Sequence, residues 1–146
     1  MKRIAAAVLA FAANAAGAAP PQYFSAPALS GRPAPFSTAV QVGDVLYLSG
    51  QIGIGPDGKL PDTFEGQAKQ TMENIGGVLK AHGLGWSDVF KCTVMIADMK
   101  NWPAFNAVYV PYFPAGKLPA RSAFGTNGLA LGAALEVECM AYAGKK

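Results

Sequence analysis

The sequence predicts an α+β domain, a mixed β-sheet with two helices on one of its faces, in the order β-β-α-β-α-β-β. Three observations carry this expectation. Stretches with alternating apolar residues, such as 45–52 and 135–141, give way twice to stretches where apolar residues recur every three or four positions. Clusters bearing glycine and proline punctuate the changes of period. A chain of 146 residues, 51% hydrophobic and 14% charged, has the composition of a single globular unit.

The first 18 residues, MKRIAAAVLAFAANAAGA, set Lys2 and Arg3 before an Ala/Leu/Val/Phe run, followed by small residues at signal-peptidase spacing. That is the pattern of a secretory signal over 1–18. The favoured cut follows Ala16-Gly17-Ala18, the other candidate follows Ala13-Asn14-Ala15, and an N-terminal membrane anchor is the competing reading. The expected mature protein is periplasmic or secreted and has no stable membrane association. Residues 19–30 then form an extended lead-in containing Pro20, Pro21 and Pro27, and the domain proper spans 31–146.

A hairpin is expected around Val42-Gly43-Asp44, its second arm running from Val45 to Ile52, and Pro56-Asp57-Gly58-Lys59 supplies a second turn. Phe64, Ala68, Thr71, Met72, Ile75, Val78 and Leu79 then fall on one helical face, with Thr63 as N-cap and Gly83 and Gly85 as stop signals. Gly76-Gly77 costs this helix roughly 1 kcal/mol per glycine, which predicts close contact with a sheet or a neighbouring chain. A strand follows over Asp88–Met99, with Cys92, Val94 and Ile96 on one side. A second helix begins near Trp102, takes Pro103 in its first turn and must kink or stop at Pro111. Two strands end the chain around a glycine-containing loop, with Leu135, Val137 and Cys139 alternating against Glu136 and Glu138. With both helices on one face, the other face of the sheet is left to self-association.

Charge narrows the function classes. The formal net charge is +3, but once Lys2 and Arg3 are removed ten basic residues face nine acidic ones, a balance of +1. A phosphate-tracking surface needs many more Lys and Arg contacts, so nucleic acid is not an expected partner. The single histidine, His82, precedes Gly83 and reads as a helix-end residue, and no His/Cys/carboxylate spacing calls for zinc. Cys92 and Cys139 leave two readings open, buried free thiols, which are favoured, or a disulfide.

Two side chains stand out chemically. Arg121, after a turn proline in KLPARSAFG, places a planar donor fork at a sheet edge where it can either clamp a small anion or simply make a surface ion pair. Glu136, between Leu135 and Val137, either faces solvent or sits in a partly dry cavity where its pKa rises toward acid/base use.

PFSTAV at 35–40, LSGQI at 48–52, QAKQTMENIGGVLKAHGL at 67–84, VFKCTVMIADM at 89–99, FNAVY at 105–109, PARSAF at 119–124 and LEVECMA at 135–141 together resemble the Rid (RidA, YjgF) family in order and spacing. The resemblance covers about Gly31 to Ala143. It implies a chorismate-mutase-like subunit, assembled as a homotrimer with inward-facing sheets in a barrel-like core and a ligand cleft at each interface. It also implies hydrolysis of enamine and imine intermediates such as 2-aminoacrylate to 2-keto acids and ammonia. By this resemblance Arg121 binds the substrate carboxylate and Glu136 orients water, while Ser49, Asn106, Phe36 and Ala123 line the cleft; a turn-stabilising hydroxyl for Ser49 and a helix hydrogen bond for Asn106 stand as equal alternatives. No cofactor or metal is required, since an iminium carbon is already electrophilic. Two departures bear on the cleft: Ala34-Pro35-Phe36 stands where many relatives have Gly-Pro-Tyr, and Ala123 where many have cysteine. A non-catalytic small-ligand-binding or chaperone-like trimer is the alternative function, and a ribonuclease is a further, less favoured one.

Overall fold

The computed structural model describes residues 19–27 and 32–144. The expected signal segment, 1–18, lies outside the described residues. The elements are β1 (Gln22–Ser25), β2 (Ser37–Val42), β3 (Val45–Leu48), β4 (Gln51–Ile52), α1 (Phe64–Ala81), β5 (Val89–Ile96), α2 (Trp102–Tyr109), β6 (Ala120–Gly125) and β7 (Leu135–Tyr142). They form one open sheet in the order β1-β2-β3-β7-β5-β6, with β4 also paired to β7. Among the described residues only β5 and β6 pair in parallel, and α2 lies in the connection between them.

Local chemistry sets the element ends. Thr63 Oγ1 accepts the Gly66 N–H at 3.1 Å and opens α1, while Glu65 and Lys80 carry the charges that each helix end favours. At the other end Gly83 takes φ +70°, and the Gly83 and Leu84 N–H groups donate back to Lys80 and Leu79 carbonyls. His82 caps this end with its ring Nδ1 2.8 Å from the Val78 carbonyl. Beyond Tyr109 the second helix tightens into a 3₁₀ turn, Val110–Tyr112, at Pro111.

Ala68, Met72, Ile75 and Leu79 of α1 and Phe105 and Tyr109 of α2 pack on Leu46, Leu48, Cys92, Val94, Ile96, Leu135, Val137 and Cys139 of the sheet. Met72, Ile75 and Leu79 are fully buried, each contributing roughly 1.5–3 kcal/mol. Residues paired across a sheet share a face, so the register assigns the other one. Val40, Tyr47 and Met140 form one row there, Ser122, Thr93 and Glu138 a second, and Phe124, Met95 and Glu136 a third. Among the described residues no helix covers these rows, and Tyr47 and Phe124 are exposed.

Four expectations change. The lead-in is extended and also enters the sheet, since Phe24 pairs with Ala39 and its ring meets His82 edge-on at 4.4 Å. The single arm 45–52 is two strands, because Ser49 turns back on β2: its Oγ donates to the Ser37 carbonyl at 2.6 Å and its N–H to Thr38 at 3.0 Å. The strand expected over 88–99 is shorter at both ends, where the Asp88 carboxylate accepts the Gly85 N–H and Asp98 caps a 3₁₀ turn. A Cβ placed on Gly76 would lie 3.5 Å from the Trp86 indole and one on Gly77 would meet open space, so within this chain neither glycine meets the sheet.

The favoured reading of two free thiols is overturned. Cys92 and Cys139 are opposed in the β5–β7 register, with Cα atoms 4.1 Å apart, and they form a buried disulfide. It spans 47 residues, which in the chain-entropy account contributes about 4 kcal/mol.

Candidate active site

Arg121 and Ala123 lie on the helix-covered face of β6, in register with the buried Cys92 and Val94. The turns of α2 bring two rings to the arginine. The guanidinium carbon sits 4.4 Å from the Trp102 ring centroid and 4.7 Å from that of Tyr109. Among the described residues no carboxylate pairs with it, the one ion pair there being Lys69–Glu73. A half-buried cation is thus held by π faces, with its N–H fork unused by any acid.

Two polar atoms of α2 share this absence of partners. Tyr109 is 2% exposed, and its hydroxyl is buried with no hydrogen bond. Burial pushes its pKa up to about 12, against the opposing pull of Arg121. The Asn106 Oδ1 is likewise buried and unpartnered, so the residue is not explained by a helix hydrogen bond. A buried acceptor without a donor is costly and rare.

Glu136 lies on the uncovered face of β7, opposite Met95 of β5 and Ile52 of β4. It is half-buried, and its pKa is raised first by burial and then by Glu138, its neighbour on the same face. Gly50, at the break between β3 and β4, makes room for it: a Cβ there would overlap the Glu136 carboxylate. Asn74 holds the segment after that break by donating to the Ile52 and Ile54 carbonyls at 3.0 and 2.9 Å.

The structure therefore puts Arg121 and Ala123 on the helix-covered face and Glu136 on the other. Ser49 spends its hydroxyl on Ser37, beside the loop that accommodates Glu136. Phe36 stands exposed at a bend before β2 and stacks on no ring among the described residues. Trp102, Tyr109 and Gly50 are the residues that sequence reasoning missed. Trp102 entered the sequence reading as the start of a helix, Tyr109 as part of FNAVY, and Gly50 as part of an expected strand arm.

Fold and site together define an open-sheet α+β protein with an arginine held on two aromatic faces and paired with no acid among the described residues. The chain belongs to the Rid/YjgF family: residues 28–143 match the family model described as endoribonuclease L-PSP. It is 42% identical over 112 residues to the mouse 2-iminobutanoate/2-iminopropanoate deaminase, covering 75% of this chain and 82% of that protein. The Rid-family protein YyfA from Yersinia pestis superposes with a TM-score of 0.76 at 32% identity, covering 84% of this chain and 99% of that one. Yeast Mmf1 gives 0.76 at 31% identity, covering 86% and 100%.

Proposed function

We propose that the protein hydrolyses short 2-imino acids to 2-keto acids and ammonia. The observation that carries this is the Arg121 guanidinium, lying over two ring faces and unpaired with any acid among the described residues. Such a fork can take a substrate carboxylate bidentately and fix the adjoining iminium carbon. The likeness to proteins named as imine deaminases points to the same chemistry.

In this reading water adds to the iminium carbon, the tetrahedral carbinolamine collapses, and ammonia leaves with its nitrogen protonated while the carbon becomes a ketone. Glu136 orients the water and passes protons between oxygen and nitrogen, a role suited to a carboxylate whose pKa burial has raised. Because Arg121 and Glu136 of one chain occupy opposite faces, a second copy completes the site, and we take the assembly to be the homotrimer that the uncovered face calls for. Trapping the Cys92–Cys139 bridge in the core suits an oxidising compartment, in keeping with an exported protein. An exported amino-acid oxidase would supply imines there.

The test generates 2-aminoacrylate in situ and follows pyruvate release. Arg121→Ala and Glu136→Gln should each be inactive alone. Co-refolded in equal amounts, they should recover about a quarter of wild-type activity, because a quarter of sites then combine an intact arginine from one chain with an intact glutamate from another. No recovery would mean a site built within one chain. A folded wild type that binds pyruvate but accelerates no imine hydrolysis would make it a ligand-binding protein.

A further inference from the structure

We propose that Trp102 and Tyr109 are positioning residues for Arg121, holding its guanidinium by aromatic faces so that its charge and donor fork remain free for a substrate carboxylate. The inference rests on the imine-deaminase reading and assigns the residues that keep its anion site ready.

A buried or half-buried arginine is usually steadied by a carboxylate, which also occupies the fork and offsets the charge. A ring face does neither. It attracts the cation through its quadrupole but accepts none of the in-plane N–H groups. At 4.4 and 4.7 Å both rings are within range of this attraction. Tyr109 stays neutral at working pH, since burial pushes its pKa up to about 12, so it cannot turn into a counter-ion.

The rings are themselves fixed. Trp102 stacks on Phe105 at 5.9 Å, Phe105 meets Tyr109 at 5.2 Å, and Tyr109 meets Phe113 at 4.6 Å. Phe105 is fully buried. The arginine therefore rests on a row of aromatic rings anchored in the core. Packing alone would account for the row, but it gives no reason for a cation to lie against two of its members without an acid.

The experiment measures pyruvate binding by calorimetry and splits KM from kcat, using imines generated in situ. Trp102→Leu keeps apolar bulk and removes the π face. It should weaken pyruvate binding about fivefold to tenfold, with the catalytic loss falling on KM more than on kcat, and Trp102→Phe should recover most of the difference. Should Trp102→Leu fail to fold, fluorinated tryptophan placed at Trp102 in a Trp86→Phe background varies the face potential at nearly constant shape. Binding should then weaken stepwise with each added fluorine. Binding that ignores fluorination, or a folded Trp102→Leu that binds as wild type does, overturns the clamp. If Arg121→Ala itself binds pyruvate normally, the anion site fails instead, so the two failures are distinguishable.

Discussion

On the helix-covered face Arg121 is fixed by its surroundings: two rings hold it, α2 carries them, and the disulfide ties the adjoining strand to β7. On the open face Glu136 is half-buried, its pKa is raised by that burial and then by Glu138, and Gly50 leaves the room its carboxylate occupies. One residue is held in place and the other is tuned. A binding group loses its value if it moves, whereas a proton carrier loses its value if its pKa drifts from the working pH.

Substitutions can break this contrast, the largest effect first. If Arg121 clamps the substrate carboxylate as proposed, Arg121→Ala removes two charge-assisted hydrogen bonds and should lower kcat/KM at least about 100-fold. A loss below about fivefold in steady-state kinetics would remove Arg121 from the site. Replacing both Cys92 and Cys139 by alanine should cost about 2–4 kcal/mol in urea unfolding, while the acid limb of the pH–rate profile stays where it was.

On the open face, Gly50→Ala drives a methyl group into the Glu136 carboxylate. Activity should fall about tenfold to 100-fold, with pyruvate binding much less affected. The smallest effect sharpens the tuning argument. If ionised Glu136 orients water, activity drops as pH falls through its raised pKa; Glu138→Gln removes one cause of that rise and should move the acid limb to lower pH. The stability sign is the reverse. A carboxyl with a raised folded pKa stabilises most below the ordinary glutamate range and loses that contribution as pH rises through the folded value, so Glu136→Gln should be the more stable protein at neutral pH. Denaturation midpoints at acidic and neutral pH check this directly.

Much of the fold was legible because its signals are local. Thr63 and Gly83 bracket a helix through groups within one turn of themselves, and Pro111 ends one by lacking an N–H. Alternation along 135–141 separated Glu136 from Leu135 and Val137 before any strand partner was known. β1 was not legible, since a four-residue edge strand beside prolines has too short a period to register. Ser49-Gly50 read as strand because what breaks it is a hydroxyl bond to β2 and a carboxylate from β7, both distant in sequence.

The sequence by itself determined which residues alternate, which repeat at helical spacing, where the chain turns, and that one arginine and one glutamate stand in otherwise apolar company. The tertiary structure alone decided that Cys92 meets Cys139, that Trp102 and Tyr109 close on Arg121, and that Arg121 and Glu136 point to opposite sides of one sheet. Periodicity reports neighbours a turn or a pleat away. Register, and the packing of a helix against a strand that follows it in the chain, are set by burial summed over the whole core, and no local stretch contains that sum.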